Sequence, residues 1–132
     1  MARNESTART AIVVEDDTDQ RSLVTALLEE SEFTIVECES AEAALAAMRL
    51  RRDVALVFSD LRLAGLMDGV ELAREVRKRW PRLTIVLSPE HMDRRLESLP
   101  DDIVVLPKPW LALDVLKIAE RARAAAGDHS RA

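Results

Sequence analysis

The chain has few of the features that are typical of secreted or membrane proteins. Its single cysteine, Cys38, leaves no partner for a disulfide within the chain, and a reducing compartment is expected. Residues 1–10 are polar and contain no apolar run, so we expect no signal peptide. No stretch approaches the roughly 20 apolar residues that a membrane-spanning helix needs. We therefore expect a cytoplasmic protein without membrane contact.

The sequence also has no basic block. Of its 132 residues, 19 are Lys or Arg and 24 are Asp or Glu, which gives a net charge of -5. This acidic balance argues against nucleic acid as a direct partner. The 48% of hydrophobic residues are enough for one core, and the length leaves no room for a second. We predict one domain over 10–127, with a flexible N-terminal tail over 1–9 and a C-terminal tail over 128–132.

Short apolar runs of β-favouring residues alternate with helical patterns along the chain. The runs cover residues 12–14, 33–37, 54–58, 83–87 and 103–106. Such runs are typical of strands buried on both faces of a parallel sheet. Apolar residues at helical spacing follow possible N-caps at Asp17, Ser40 and Asp68, and they predict a helix after each.

The second half of the chain carries weaker helical signals. The charged segment 90–98 has few apolar residues and predicts only a weak, short helix. The last helix is predicted to begin near Trp110, to carry Leu113, Leu116 and Ala119/Glu120 at helical spacing, and to end by Gly127. The sequence does not decide whether Trp110 lies in the core or on a signalling surface.

Polar side chains stand where four of these apolar runs end. Glu15 and Asp16 follow the first run, and Asp60 follows the third. Ser88 follows the fourth and Lys108 the fifth. Sites in parallel α/β sheets lie outside the carboxyl ends of the strands, so we expect these side chains to converge on one edge. Carboxylates, a hydroxyl and an amine there suit phosphoryl chemistry on a carboxylate with a hard cation.

These residues resemble the receiver domain of two-component response regulators, in order and spacing, over nearly the whole chain. The resemblance implies an α/β fold with a doubly wound, flavodoxin-like sheet of five parallel strands in the order 2-1-3-4-5, with room for a shortened fourth helix. That strand order is taken from the family and does not follow from the spacing. The motifs that carry the resemblance are Glu15-Asp16-Asp17 with Arg21, Phe58-Ser59-Asp60, Met67-Asp68-Gly69, Ser88 and Lys108-Pro109.

The resemblance implies that Asp60 receives a phosphoryl group from a sensor histidine kinase or a histidine phosphotransfer protein. An aspartate can carry such a group as an acyl phosphate. Ser88 and Lys108 would supply a hydroxyl and a positive charge to the phosphoryl oxygens. The family also implies a cis bond between Lys108 and Pro109. The protein would then be a stand-alone phosphoacceptor, not an ordinary enzyme, that signals by contact with an unidentified downstream protein.

Three carboxylates at one edge would repel each other unless a cation neutralises them. Mg2+ suits such a site because it takes one or more carboxylates and keeps waters and phosphate oxygens in its shell. The resemblance implies that Asp16 and Asp60 bind the ion directly and that Glu15 binds through water. The backbone carbonyl of Arg62 would complete the protein's ligands. Arg21, in contrast, is predicted to be a charge on a helix surface.

The sequence departs from the family pattern at three places. Val105 stands where the family commonly has the Phe or Tyr that reports phosphorylation. The loop from Asp60 to Asp68 is one residue longer than usual. Pro89 follows Ser88 and has no N–H, so a possible phosphate donor is missing unless the proline serves only to begin the next helix.

Two other classes of function stay open. A receiver fold that no longer uses phosphate would be a pure interaction module, and the departures favour it. A small Mg-dependent aspartate phosphatase would need a second Asp two residues after Asp60, where Arg62 stands. Arg62 and Glu90 flank the expected path of the attacking water. They could either pair across the site or remain two solvated side chains.

Overall fold

A computed structural model describes the chain over residues 9–131, with side chains up to residue 127. Residues 1–8 and 132, which belong to the two predicted tails, lie outside the described residues. The strands are β1 Arg9–Val14, β2 Phe33–Cys38, β3 Val54–Asp60, β4 Thr84–Ser88 and β5 Val104–Val105. The helices are α1 Thr18–Glu30, α2 Ala41–Arg49, α3 Gly69–Arg79 and α4 Ala112–Arg131, with a 3-10 helix at Arg94–Ser98. The limits of the predicted domain stay a prediction.

The five strands form one parallel sheet in the order β2-β1-β3-β4-β5, which confirms the predicted fold class. The central strand, β3, pairs with β1 on one side and with β4 on the other. Asp60, at its end, lies opposite Ser88 in the register with β4. The carboxyl ends of β1, β3 and β4 therefore meet at one edge of the sheet.

Alternate side chains of each strand enter two separate cores, one on each face of the sheet. From β1, Ile12 and Val14 pack with α2 and α3, around Met48 and Val76. Ala11 and Val13 enter the other core, which α1 and α4 cover. Because successive side chains of a strand point to opposite faces, an unbroken apolar strand requires helices on both faces. The sequence pattern and the doubly wound architecture agree on this point.

The helix starts confirm the predicted N-caps. The side chain of Asp17 accepts a hydrogen bond from the Gln20 backbone N–H at 2.9 Å. Asp68 does the same for Glu71 at 3.1 Å, and the Glu71 carboxylate accepts from the Asp68 N–H at 3.0 Å, which makes a full capping box. Ser40 caps α2 in the same way. These bonds satisfy N–H groups that a helix cannot pair internally.

Helix α4 differs from its prediction at both ends and in its buried side. It begins at Ala112 and continues through Gly127 to Arg131, so Gly127 does not end it. Leu113 is 56% exposed, and Leu116 is only partly buried. Ala119 is buried as predicted. The buried stripe that contains it faces β3 and α1 and has Val115 and Ile118 in place of Leu113 and Leu116, because apolar residues occur on both sides of the helix and spacing alone does not choose between them. That stripe consists of Val115, Ile118, Ala119 and Ala122.

The charged segment before β5 forms only the short 3-10 helix, and none of its residues is buried. Its N-cap is Asp93, so Pro89 lies outside it and the alternative that Pro89 begins a helix is wrong. The Arg95 guanidinium ties this segment to the start of α3 through the Asp68 carboxylate at 2.6 Å. Over the described residues, none of the helices is long and apolar enough to cross a membrane.

Candidate functional site

Three carboxylates meet where β1 and β3 end. One oxygen from each of Glu15, Asp16 and Asp60 lies within 4.8 Å of the others. Glu15 is buried at 6% exposure, whereas Asp16 is exposed and the Asp60 side chain is 13% exposed. The cluster is therefore a partly buried concentration of negative charge with one side open to solvent.

Backbone and side-chain bonds fix the Glu15 end of this cluster. One Glu15 carboxylate oxygen accepts from the Asp17 N–H at 3.0 Å. The Arg21 guanidinium donates to the Glu15 carbonyl at 2.7 Å and pairs with Glu37 at 3.0 Å. The Arg21 side chain is only 13% exposed, so the prediction of a surface charge was wrong. Its role is to hold the loop after β1 against β2.

The Asp60 end is fixed by close packing of the turn that begins α3. A carboxylate oxygen of Asp60 accepts from the Leu61 N–H at 2.8 Å, and Gly69 N–H donates to the Leu61 carbonyl at 2.8 Å. A Cβ atom at Gly69 would lie 2.2 Å from the Asp60 carbonyl oxygen. Only glycine can approach the strand this closely. The Asp68-Gly69 turn therefore sets where the Asp60 backbone lies.

Lys108 brings positive charge to the cluster. Its ammonium nitrogen lies 3.1 Å from a Glu15 oxygen and 3.3 Å from an Asp60 oxygen, and its side chain is 13% exposed. The Lys108 N–H donates to the Pro89 carbonyl at 2.8 Å, and the Lys108-Pro109 bond is cis, as the resemblance implied. The loop after β5 is thereby held against the end of β4.

The pKa shifts report how strongly these charges interact. Burial raises the pKa of Glu15, and the Asp60 charge adds to this rise, while bonds from Asp17 and Lys108 oppose it. Burial acts to lower the pKa of Lys108, but the carboxylates of Asp60 and Glu15 outweigh it and raise the pKa above its ordinary value. Lys108 thus stays charged. One ammonium group cannot balance three carboxylates, and the oxygen-rich remainder is a donor set that fits a hard divalent cation.

Ser88 and Trp110 form the other half of the site. Ser88 is fully buried and lies beside Asp60 in the sheet. Its hydroxyl oxygen accepts a hydrogen bond from the Trp110 indole N–H at 3.0 Å. The indole is half-buried and meets Phe58 edge to face, with ring centroids 6.1 Å apart. Sequence reasoning left Trp110 open and missed this bond; the only signal was an aromatic directly after Lys108-Pro109.

The remaining predicted residues lie around the rim. Arg62 and Glu90 are both exposed, and within the described chain no ion pair joins them. Their pairing over a phosphorylated Asp60 stays a prediction. The part of the Arg62 carbonyl in metal binding stays a prediction. Val105 is partly buried in the short β5, opposite Leu87. No aromatic ring stands at that position.

Comparison with known proteins agrees with this fold. Residues 11–104 match the family described as the response regulator receiver domain, and the chain belongs to that family. The receiver domain of NtrX from Brucella abortus superposes with a TM-score of 0.75 and 30% identity, over 86% of this chain and 98% of that one. Members of this family generally act as phosphoacceptors in two-component systems and not as ordinary enzymes.

Two curated relatives are longer proteins. The chain is 30% identical to the hydrogenase transcriptional regulatory protein HoxA of Cupriavidus necator, over 92% of this chain and 26% of that protein. It is 33% identical to the C4-dicarboxylate transport transcriptional regulatory protein DctD of Rhizobium meliloti, over 89% and 26% respectively. The chain thus spans about a quarter of the length of the curated relatives it matches.

Proposed function

We propose that Asp60 accepts a phosphoryl group from the phosphohistidine of a sensor histidine kinase or a histidine phosphotransfer protein. The observation that carries this proposal is the contact of the Lys108 ammonium group with both Glu15 and Asp60, at 3.1 and 3.3 Å, beside the buried Ser88. A carboxylate nucleophile, a fixed cation and a hydroxyl donor are the groups that phosphoryl transfer needs.

In the proposed reaction, a carboxylate oxygen of Asp60 attacks the phosphorus atom while the bond from phosphorus to the donor's imidazole nitrogen breaks. The electron pair leaves with the imidazole, which takes up a proton as it departs. The Lys108 ammonium group and the Ser88 hydroxyl then face the phosphoryl oxygens, whose negative charge they stabilise. Lys108 already lies against the attacking carboxylate, so little rearrangement is needed.

Glu15, Asp16 and Asp60, with the backbone carbonyl of Arg62, are the groups that would hold Mg2+. The bound ion would neutralise the charge that builds up when a phosphoryl group joins a cluster of carboxylates. The carboxylate oxygens within 4.8 Å of one another support this assignment for the first three residues. The Arg62 carbonyl enters only through the resemblance.

Signalling would follow by contact between the phosphorylated domain and a downstream protein, in the cytoplasm. The acidic composition argues that this chain itself does not bind nucleic acid. Relatives such as HoxA and DctD carry the words transcriptional regulatory protein in their names, but the matched stretch is about a quarter of each. A transcriptional output is therefore a property of those longer proteins.

Two other functions have weaker support. A phosphate-independent interaction module fits the missing aromatic at Val105 and the missing N–H at Pro89, but it leaves the Lys108 contacts without a purpose. An aspartate phosphatase lacks its acid/base residue, because an exposed Arg62 stands where that chemistry needs a second aspartate.

Treatment of the protein with acetyl phosphate and Mg2+, followed by intact-mass measurement, tests the proposal. The wild-type protein should gain one phosphate, and Asp60→Asn should gain none because an amide is not a nucleophile. Asp53→Asn is a matched control, because Asp53 directly precedes the first residue of β3, at the end of the strand away from Asp60. Its carboxylate accepts a hydrogen bond from the Thr10 hydroxyl at 2.7 Å. An equal phosphate adduct on Asp60→Asn would show the assignment to be wrong.

A further inference from the structure

The bond between Trp110 and Ser88 joins the buried site to a residue outside it. The indole nitrogen lies 3.0 Å from the hydroxyl oxygen, and the indole ring rests edge to face against Phe58, two residues before Asp60. Trp110 also lines an open cleft of about 420 Å³ together with Glu90 and Lys108. One side of the ring therefore contacts the site, and another side reaches the surface.

The direction of this bond matters for the hydroxyl. A serine hydroxyl has one hydrogen to donate and two lone pairs to accept with. The indole N–H can only donate, so the Ser88 oxygen accepts and keeps its own hydrogen for another partner. Ser88 is fully buried, and its neighbour across the strand pair is Asp60. A phosphoryl group on Asp60 is the acceptor that this hydrogen would meet.

We propose that Trp110 is a positioning residue for the phosphoryl site. Its indole N–H holds the Ser88 oxygen so that the hydroxyl hydrogen is directed to a phosphoryl group on Asp60. This inference rests on the proposed function, and it adds a residue that acts through Ser88 and does not itself touch the phosphoryl group.

The local packing supports this role. The edge-to-face contact with Phe58 limits how the indole can turn, because such aromatic pairs have a preferred geometry. The backbone on both sides of the bond is also held, since the Lys108 N–H donates to the Pro89 carbonyl at 2.8 Å. Val105 offers no ring that could reach Ser88 in its place. Trp110 is thus the aromatic residue that hydrogen-bonds to the hydroxyl in the described part of the chain.

The test removes the indole N–H and leaves the ring. The chain has two tryptophans, so a Trp80→Phe background leaves Trp110 alone. In that background, Trp110 is replaced by β-(3-benzothienyl)alanine, in which sulfur takes the place of N–H. Binding of beryllofluoride with Mg2+ is then measured by titration, with and without Ser88→Ala. Thermal unfolding checks that the isostere keeps the fold.

Loss of one hydrogen bond should weaken beryllofluoride binding about three- to tenfold. In a protein that already carries Ser88→Ala, the isostere should weaken beryllofluoride binding no further, because the indole acts through that hydroxyl. In the unliganded protein, Ser88→Ala should also speed solvent exchange of the Trp110 indole proton, which nuclear magnetic resonance follows without any phosphate.

Three results would overturn the role of Trp110. They are equal affinity of the isostere and its Trp80→Phe background, independent effects of the isostere and Ser88→Ala, and an indole proton that does not respond to Ser88→Ala. A background protein that binds no beryllofluoride would instead overturn the proposed function, and the role of Trp110 with it. Beryllofluoride binding by the Trp80→Phe protein therefore distinguishes failure of the proposed function from failure of the role of Trp110.

Discussion

The two halves of the site are built in different ways. The acid half, consisting of Glu15, Asp16 and Asp60, is held by bonds to nearby backbone, such as Asp17 to Glu15 and Leu61 to Asp60. The hydroxyl half, consisting of Ser88 and Trp110, depends on a bond between side chains 22 residues apart. Lys108 joins the halves, since its side chain reaches the acids and its backbone holds the end of β4.

This difference explains where the family pattern is kept and where it changes. The acid half has the expected residues at the expected strand ends. The residue departures at Pro89, directly after β4, and at Val105, in β5, lie near the hydroxyl half, as does the new contact of Trp110 with Ser88. The departure beside the acid half is one of length, in the loop from Asp60 to Asp68. A metal and phosphoryl site constrains its carboxylates strictly, whereas a hydroxyl can be oriented by more than one neighbour. Variants on either side can therefore separate the two halves.

The largest effect should come from the residue that joins the halves. Lys108→Met keeps much of the stem but removes the charge beside Glu15 and Asp60, so phosphorylation by acetyl phosphate should slow about 100-fold. The rate is measured by intact mass over time. Lys117→Met, at an exposed lysine on α4, is the control and should leave the rate unchanged. A Lys108→Met protein as fast as wild type would mean that the halves work without this charge.

A second prediction concerns the backbone beneath the acid half. Gly69→Ala places a methyl group where the Asp60 carbonyl oxygen would be 2.2 Å away, so the free energy of unfolding should fall by about 1–3 kcal/mol. Gly127→Ala is the matched control, because a Cβ there meets nothing within 4 Å. It should raise the free energy of unfolding by at most about 1 kcal/mol, since alanine is favoured over glycine inside a helix. Urea unfolding measures both. Equal free energies of unfolding for Gly69→Ala and Gly127→Ala would contradict the close approach of α3 to β3.

A third prediction concerns the missing donor in the hydroxyl half. Pro89→Ala restores a backbone N–H beside Ser88, and beryllofluoride with Mg2+ should bind up to about tenfold more tightly, which corresponds to ~1.4 kcal/mol. Pro89 is buried and begins no helix, so circular dichroism must first show that the fold is intact. Unchanged affinity in a folded variant would mean that the proline does not limit the phosphorylated state.

The smallest effect is expected at the rim. Arg62 and Glu90 are exposed and unpaired with each other, so Arg62→Ala and Glu90→Ala should change the dephosphorylation rate independently. Their effects should add to within about 0.3–0.5 kcal/mol in the double variant. The decay of phosphoprotein, followed by mass, measures this. A larger coupling would mean that the pair closes over the phosphoryl group once it is present.

The helices and strands of the fold follow from local sequence signals, whereas the order of the strands was taken from the family resemblance. Unbroken apolar strands, and capping residues such as Asp17 and Asp68, specify the elements and their alternation. On α4 the prediction holds for Ala119 and was wrong for Leu113 and Leu116, because Val115 and Ile118 are also apolar and only the tertiary packing decides which pair is buried. Helix spacing alone cannot measure that competition.

The candidate site also has a part that the sequence predicts and a part that it does not. The acid half could be predicted because each of its carboxylates stands at the end of an apolar run or within two residues of it, and these runs form parallel strands. The partly buried bond of Arg21 to the Glu15 carbonyl and the bond of Trp110 to Ser88 could not be predicted, because both depend on which way a long side chain turns after the fold has formed. A charge at helical spacing and an aromatic after Lys108-Pro109 are compatible with either orientation.

The most direct test of the account is to locate the phosphate chemically. Protein treated with acetyl phosphate and Mg2+ is reduced with borohydride, which converts an aspartyl phosphate to homoserine, and the modified peptide is sequenced by mass spectrometry. The account predicts homoserine at position 60 and at no other acidic residue, with none formed when Mg2+ is removed. Homoserine at position 16, 5-hydroxynorvaline at position 15 (the product expected from a glutamyl phosphate), or no homoserine at position 60 in a protein that has gained phosphate, would contradict it.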